Sequence, residues 1–308
     1  MAELLALDVV PSKMIIESLA PTPGVSLLVG APKSGKTILA VQMAIAVARG
    51  SALFDYYRVK QGPAMIVEQD DPAGPASIKD IVLRAGITDA VPLFVQPRVP
   101  FSIGPAFLDW LGNQIVKRSL GHVVLDSYTA LRASRGSGVD IVKAEQSELL
   151  SLDTLAKKLD CAFGVVHHAS KGSAGLDWSD RAAGTFAMSA ATEAQVFISR
   201  FPDLDVASPE RLVRVRGRHC SDVEMVLRFR KETLDYEHVL EGGAASAYPQ
   251  LLQIRHAFGN QTFTPKQLYL TTGVARATAF RQIERLFRAG ALQKRGRGEY
   301  VLADLVRL

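Results

Sequence analysis

Val25-Ser26-Leu27-Leu28-Val29 runs straight into Gly30-Ala31-Pro32-Lys33-Ser34-Gly35-Lys36-Thr37, and Ile38-Leu39-Ala40-Val41 comes next. An apolar run of strand length, a glycine-bounded turn ending in Lys-Thr, and then a helical segment form the layout of a phosphate-binding loop. The chemistry needs that order. Glycines let main-chain N–H groups turn inward around phosphate oxygens at a helix start, where the helix dipole favours an anion. Lys36 then reaches the β- and γ-phosphates, and the Thr37 hydroxyl ligates Mg²⁺. ATP and Mg²⁺ are therefore the expected ligands, with Gly30, Ala31, Pro32, Lys33, Ser34, Gly35, Lys36 and Thr37 as the cradle.

Outward from this stretch, short apolar runs alternate with longer amphipathic segments, the pattern of a parallel sheet with crossover helices. Strands are predicted at 25–29, 64–68, 93–96, 122–126 and 161–167, and helices at 36–48, 76–85, 105–118 and 142–159. Near-continuous apolar strands such as Val123-Val124-Leu125 suit a sheet covered on both faces. After Ala191 the helices stop, and 195–200, 212–217 and 224–230 read as antiparallel additions at the sheet edge. Small residues at 241–247 read as a flexible linker. The expected division is an N-terminal segment 1–20, an α/β nucleotide-binding domain 21–240, the linker, and a small domain 248–308.

With 308 residues, 48% of them hydrophobic and 22% charged, the chain can bury a substantial core. No apolar run reaches the roughly eighteen residues of a membrane span, and the first ten residues carry Glu3 and Asp8 instead of a signal peptide's basic start. Two isolated cysteines, Cys161 and Cys220, exclude a disulfide framework or a zinc cluster. They read as buried small hydrophobes in a reducing cytoplasm. The net charge of +5 is uneven. Residues 249–308 hold two lysines and eight arginines against three acids, a net +7, which leaves −2 for the rest. A basic segment on a near-neutral body points to a polyanion as partner.

Two carboxylates complete the nucleotide site. Asp126 closes the run Val123-Val124-Leu125, where a residue holding the magnesium shell must sit. Glu68 closes Met65-Ile66-Val67, and hydrolysis needs a base near the γ-phosphate. The strand of Glu68 is taken to adjoin the phosphate-loop strand.

Three stretches resemble the RecA-like superfamily and, within it, the RepA-type hexameric replicative helicases of plasmids. They are the phosphate loop, Val67-Glu68-Gln69-Asp70-Asp71-Pro72, and Val165-Val166-His167-His168-Ala169-Ser170-Lys171-Gly172. The resemblance spans roughly residues 25–229. It implies a RecA-like core, with Glu68 activating the attacking water. It also implies that His168, and less directly His167, senses the γ-phosphate and signals to DNA-binding loops. Those loops correspond to 132–138, with Arg135, and 171–178, with Lys171. Ring-forming members complete each site with an arginine from the next subunit. Arg216 and Arg218 match a basic-x-Arg pair of that kind, with Arg181 as a second candidate, whereas the position where RepA-type proteins carry theirs is Glu193 here.

From Tyr248 the pattern reads helix, helix, turn, helix and β-hairpin, which looks like a winged helix-turn-helix. Ile283, Leu286 and Phe287 are expected to face its core. Arg276, Thr278, Arg281, Gln282 and Arg285 are then left for a duplex groove, with Lys294, Arg295 and Arg297 on the wing. The combined expectation is a cytoplasmic, homo-oligomeric DNA-dependent ATPase, a RepA-like helicase serving a plasmid, phage or mobile element. It contacts single-stranded DNA through the core loops and duplex through the winged helix. The alternative is an ATP-controlled DNA-binding protein in recombination, repair or regulation that does not unwind.

Overall fold

The computed structural model describes residues 13–72, 75–88, 90–134, 138–168, 188, 190–218 and 220–303. The chain opens with β1 (Lys13–Ile16), β2 (Ala20–Thr22) and the phosphate-loop strand β3 (Gly24–Gly30), which leads into α1 (Lys36–Arg49). Next come β4 (Ala64–Glu68), α2 (Ala76–Arg84), β5 (Leu93–Pro97), α3 (Pro105–Arg118) and β6 (His122–Asp126). After these stand a single turn α4 (Tyr128–Leu131), the long α5 (Ile141–Lys158) and β7 (Ala162–His168). Then helices give way to strands: β8 (Ala194–Ser199), β9 (Glu210–Gly217), β10 (Val223–Arg230) and β11 (Asp235–Glu241). The C-terminal part holds α6 (Tyr248–Phe258), α7 (Pro265–Thr272), α8 (Arg276–Arg288) and the hairpin β12 (Leu292–Gly296) and β13 (Glu299–Leu302).

Among the described residues, nine strands form one sheet in the order β11-β10-β9-β8-β3-β7-β6-β4-β5. From β8 to β5 every pairing is parallel, and β9, β10 and β11 add an antiparallel edge. The fold is thus α/β with a mainly parallel sheet, as the alternating pattern implied. The strand alternation sorts its core. Leu28, Ile66 and Val124 point to the layer of α1 and α2, while Leu27, Met65, Val67, Val123 and Leu125 point to the layer of α3 and α5. That double burial is why these strands read as unbroken apolar runs.

Several expectations need correction. The strand at 194–199 is not an antiparallel addition: it pairs parallel to β3, from Ser26 opposite Ala194 to Val29 opposite Phe197. The reversal of direction begins only with β9. β11 escaped the sequence reading because Glu237 and His238 break a clean alternation. Residues 241–247 are no open spacer, since Ala244, Ala245 and Ala247 are buried and 245–247 form a 3-10 turn. Small size here serves close packing and not freedom. Of the two free cysteines, Cys161 is buried as expected and Cys220 only partly so.

The C-terminal helices have sound local causes. Thr264 caps α7 in a reciprocal capping box with Gln267, and Pro265 takes the first helical position. Ala279, Ile283 and Leu286 of α8 are buried, but Phe287, expected inside, is 45% exposed. It sits at the rim, edge-on to Tyr300 with ring centroids 6.0 Å apart.

Candidate functional site

Two glycines shape the loop between β3 and α1. A Cβ on Gly30 would stand 2.5 Å from the Ile198 carbonyl oxygen and 2.6 Å from Ser34 Oγ. Gly35 has φ +98°, and its Cβ would stand 1.8 Å from the Tyr236 hydroxyl. Only glycine satisfies both the backbone and the space there. α1 begins at Gly35 without a side-chain cap, which leaves first-turn N–H groups for an anion. Lys36 is buried, and its Nζ donates to the Gly30 and Ala31 carbonyls at 3.0 Å each. Burial pulls its pKa down, opposed by the charges of Asp126 and Asp70.

The strand tips bring the carboxylates to this loop. In the β4–β6 register Glu68 stands directly opposite Asp126. The strand of Glu68 does not adjoin the phosphate-loop strand, because β7 and β6 lie between them. The crossover through α1 skips the two places that later strands fill, so chain order misstates spatial order. Asp126 is buried and shares the cleft with Thr37, while its Oδ2 has no hydrogen-bond partner among the described residues. Burial raises its pKa; the nearby Thr37 hydroxyl opposes this most. A threonine hydroxyl beside an under-coordinated carboxylate oxygen fits a hard divalent cation, which takes oxygen ligands.

Glu68 is buried, with its Oε1 accepting the Asp70 N–H at 2.7 Å and the Asp71 N–H at 2.8 Å. Burial pushes it up to about 7, with the neighbouring Asp126 charge adding to the rise. A carboxylate poised near neutrality is suited to taking a proton from water. His168, at the tip of β7, places Nε2 3.1 Å from Asp70 Oδ2. Its neighbour His167 is buried against the Tyr128 ring at 5.7 Å, and burial holds it down at about 4, hence neutral. One open cleft is lined by Lys33, Thr37, Glu68, Asp70, Asp126 and His168 among others. The four strand-tip and loop features read from the sequence therefore face one space.

The arginines lie elsewhere. Because β9 runs against β8, its start reaches the phosphate loop and its end does not. Arg216 pairs in register with Gln195, and the Arg218 N–H bonds the Glu193 carbonyl, at the opposite end of the sheet. Arg216 lies 3.6 Å from Asp222, and Arg218 donates to the Ala190 carbonyl at 2.6 Å. Neither reaches the cleft of its own chain. Glu193 is buried and bonded to Lys157 at 2.7 Å, a structural position. Arg135, Lys171 and Arg181 lie outside the described residues. On the C-terminal helices, Arg276, Arg281 and Arg285 of α8 and Lys294, Arg295 and Arg297 of the hairpin are the expected cations. Arg276, Arg281, Arg285, Lys294, Arg295 and Arg297 are exposed, while Thr278 and Gln282 are half-buried.

Sequence reasoning missed four residues that hold the phosphate loop. Arg211 Nε donates to the Ser34 carbonyl at 3.2 Å, Arg200 Nη2 lies 3.5 Å from the Lys33 carbonyl, and Tyr236 backs Gly35. Gln42 grips Tyr236 through two main-chain bonds of 2.8 Å. The missing signal was the direction of β9, which no local pattern carries.

Residues 6–174, more than half of the chain, match the family model described as an AAA domain. Two solved structures share the fold at 12% identity and a TM-score of 0.56. One is an ATPase domain, with 71% of this chain and 85% of that one covered. The other is a DnaB-like replicative helicase described with its interactions with primase, where the coverage is 70% of this chain and 57% of that one. This chain therefore spans a little over half of that helicase. No curated protein sequence matches it. Among the described residues no helix is long and apolar enough to cross a membrane.

Proposed function

The chain belongs to the AAA domain family, and from that premise we propose that it is a Mg²⁺-dependent ATP hydrolase whose turnover is coupled to DNA, of the replicative-helicase type. The observation that carries this reading is the convergence of Thr37, Asp126, Glu68 and His168 on one cleft, with the Lys36 charge coupled to Asp126 and Asp70. The loop N–H groups and Lys36 bind the phosphates. Thr37 and Asp126 hold the cation, which supplies charge neutralisation when bound. Glu68 orients a water against the γ-phosphate and accepts its proton. His168, bridged to Asp70, reports whether that phosphate is present.

The likeness to a DnaB-like replicative helicase supports the finer reading of a RepA-type ring in the cytoplasm, acting in the replication of a plasmid, phage or mobile element. In that ring, Arg135 and Lys171 on the core loops track single-stranded DNA. Residues 248–308 form a winged helix whose exposed cations meet duplex, joined through 241–247 to an ATPase domain 21–240. An arginine at the far sheet end, Arg216 or Arg218, finishes the neighbouring subunit's site.

The test is ATP hydrolysis by the wild type and Lys36→Ala, with no DNA, single-stranded DNA and duplex, alongside strand displacement. Turnover stimulated by single-stranded DNA, with ATP-dependent displacement and neither in Lys36→Ala, is expected. Hydrolysis indifferent to DNA would sink the coupling. DNA-stimulated hydrolysis without displacement would leave the non-unwinding DNA-binding ATPase instead.

A further inference from the structure

The antiparallel edge of the sheet reaches back under the phosphate loop, and one of its residues is chemically out of place. Arg211, at the start of β9, is 8% exposed. Its guanidinium donates from Nε to the Ser34 carbonyl at 3.2 Å and from Nη1 to the Ser208 and Glu210 carbonyls at 2.8 and 2.7 Å. All three acceptors are main-chain carbonyls and none is a carboxylate. The side chain of Glu210, the nearest acid in sequence, is committed to Arg228 at 3.3 Å. A buried cation hydrogen-bonded to no carboxylate is costly, and burial pulls the Arg211 pKa down, with Tyr236 and the Glu210 charge opposing and the Arg200 charge adding.

The geometry around it is fixed from several sides. Tyr236 is buried, its hydroxyl set against Gly35 and 3.5 Å from the same Ser34 carbonyl. Gln42 of α1 locks the Tyr236 main chain with both arms of its amide. The Ser34–Gly35 peptide is thus held by β9 and β11 from behind. In a trans peptide the carbonyl and the next N–H point in opposite directions. A Ser34 carbonyl turned toward Arg211 therefore turns the Gly35 N–H away from it.

We propose that Arg211 is a positioning residue for the nucleotide's phosphates: its guanidinium fixes the Ser34–Gly35 peptide so that the Gly35 N–H faces the cradle, and its charge, bonded to no carboxylate among the described residues, awaits the polyphosphate as counter-anion. The inference rests on the ATP reading and names the part of the chain that tunes it. The antiparallel edge of the sheet is then part of the binding apparatus and not merely its border.

The experiment measures binding of a fluorescent ATP analogue, with ATP and inorganic tripolyphosphate as competitors, to wild type, Arg211→Gln and Arg211→Lys. Thermal unfolding and steady-state kinetics are recorded for each. Arg211→Gln is expected to bind both competitors about 10- to 100-fold more weakly, the range for a lost hydrogen bond to a charged group. KM for ATP should rise far more than kcat falls. Arg211→Lys, which keeps the charge but not the fork, is expected to recover part of the loss. A folded Arg211→Gln protein with wild-type affinity for both competitors overturns the proposal. So does a loss for ATP with none for tripolyphosphate, because the effect then lies away from the phosphates. If Arg211→Gln does not fold, Arg211→Lys decides: it is expected to be about tenfold weaker, and wild-type affinity in it overturns the proposal. A wild type that binds no nucleotide at all is a failure of the ATP reading itself, visible before any variant is compared.

Discussion

Glu68 is buried opposite Asp126, and the proposed role of accepting a proton needs it charged, so the two demands conflict. Its carboxyl sits near 7 instead of the usual 4.5 because burial disfavours the anion. Between those values the folded state holds a proton that the unfolded chain has released, so stability falls as pH rises through that window. The span corresponds to about 3 kcal/mol at most. Glu68→Gln should therefore be more stable than wild type at pH 8 and nearly equal near pH 4.5, as urea unfolding in magnesium-free buffer would record. A gap that does not change with pH would contradict the shifted carboxyl. The same variant should keep its affinity for ATP while hydrolysis drops about 10²- to 10⁴-fold. At Gly35 the constraint is spatial. An alanine there must adopt φ +98° and push its methyl into the Tyr236 hydroxyl. Gly35→Ala is expected to cost about 2–4 kcal/mol by calorimetry, adding a left-handed backbone to overpacking. An unchanged Tm would show that the loop is not held as described.

At the scale of elements, what the sequence made legible depended on locality. The helix 105–118 and the strands 64–68 and 122–126 match their expected bounds residue for residue, because apolar periodicity and Pro or Gly punctuation are local facts. Strand order and direction are not local. Nothing between Met65 and Glu68 reports that two strands separate β4 from β3, and nothing in Leu212-Val213-Arg214 reports which end of β9 meets the loop. The strand-tip acids and histidines were therefore found, whereas Arg211 and Tyr236 were not. α8 shows the same limit: its alternation placed Ile283 and Leu286 inside but misjudged Phe287, which the short hairpin leaves at the rim. Its basic face carries its own test. If Arg281 and Arg285 meet duplex phosphates, replacing both by alanine should weaken duplex binding. The slope of log affinity against log salt should also fall by about two. A weakened affinity with the slope intact would mean that these arginines shape the helix and not the contact.

For the whole molecule, the edge strands face two ways. On one side β9 and β11 press on the phosphate loop. On the other, Phe201, Leu212, Val226 and Leu240 share a core with Tyr248, Leu251 and Ile283 of the C-terminal helices. The Phe201 and Tyr248 rings stack at 5.7 Å. The chain's own cleft holds Thr37 and the carboxylates, with the Lys36 charge coupled to Asp126 and Arg211 bonded to the loop from behind, while Arg216 and Arg218 sit at the far end of the sheet. The proposal that an arginine of the next subunit completes the site makes a specific demand on mixtures. Lys36→Ala subunits lack a working cradle but still offer Arg216; Arg216→Ala subunits keep the cradle and lack the arginine. Each alone should be inactive. In an equimolar mixture that exchanges subunits at random, about a quarter of the interfaces join an intact cradle to an intact arginine, as head-to-tail closure implies. DNA-stimulated hydrolysis should then reappear at up to about that fraction of the wild-type rate, and only under conditions where the rings assemble. Repeating the mixture with Arg218→Ala identifies which of the two reaches across. Silence in both mixtures, with assembly confirmed by mass, would take the finger away from β9 altogether.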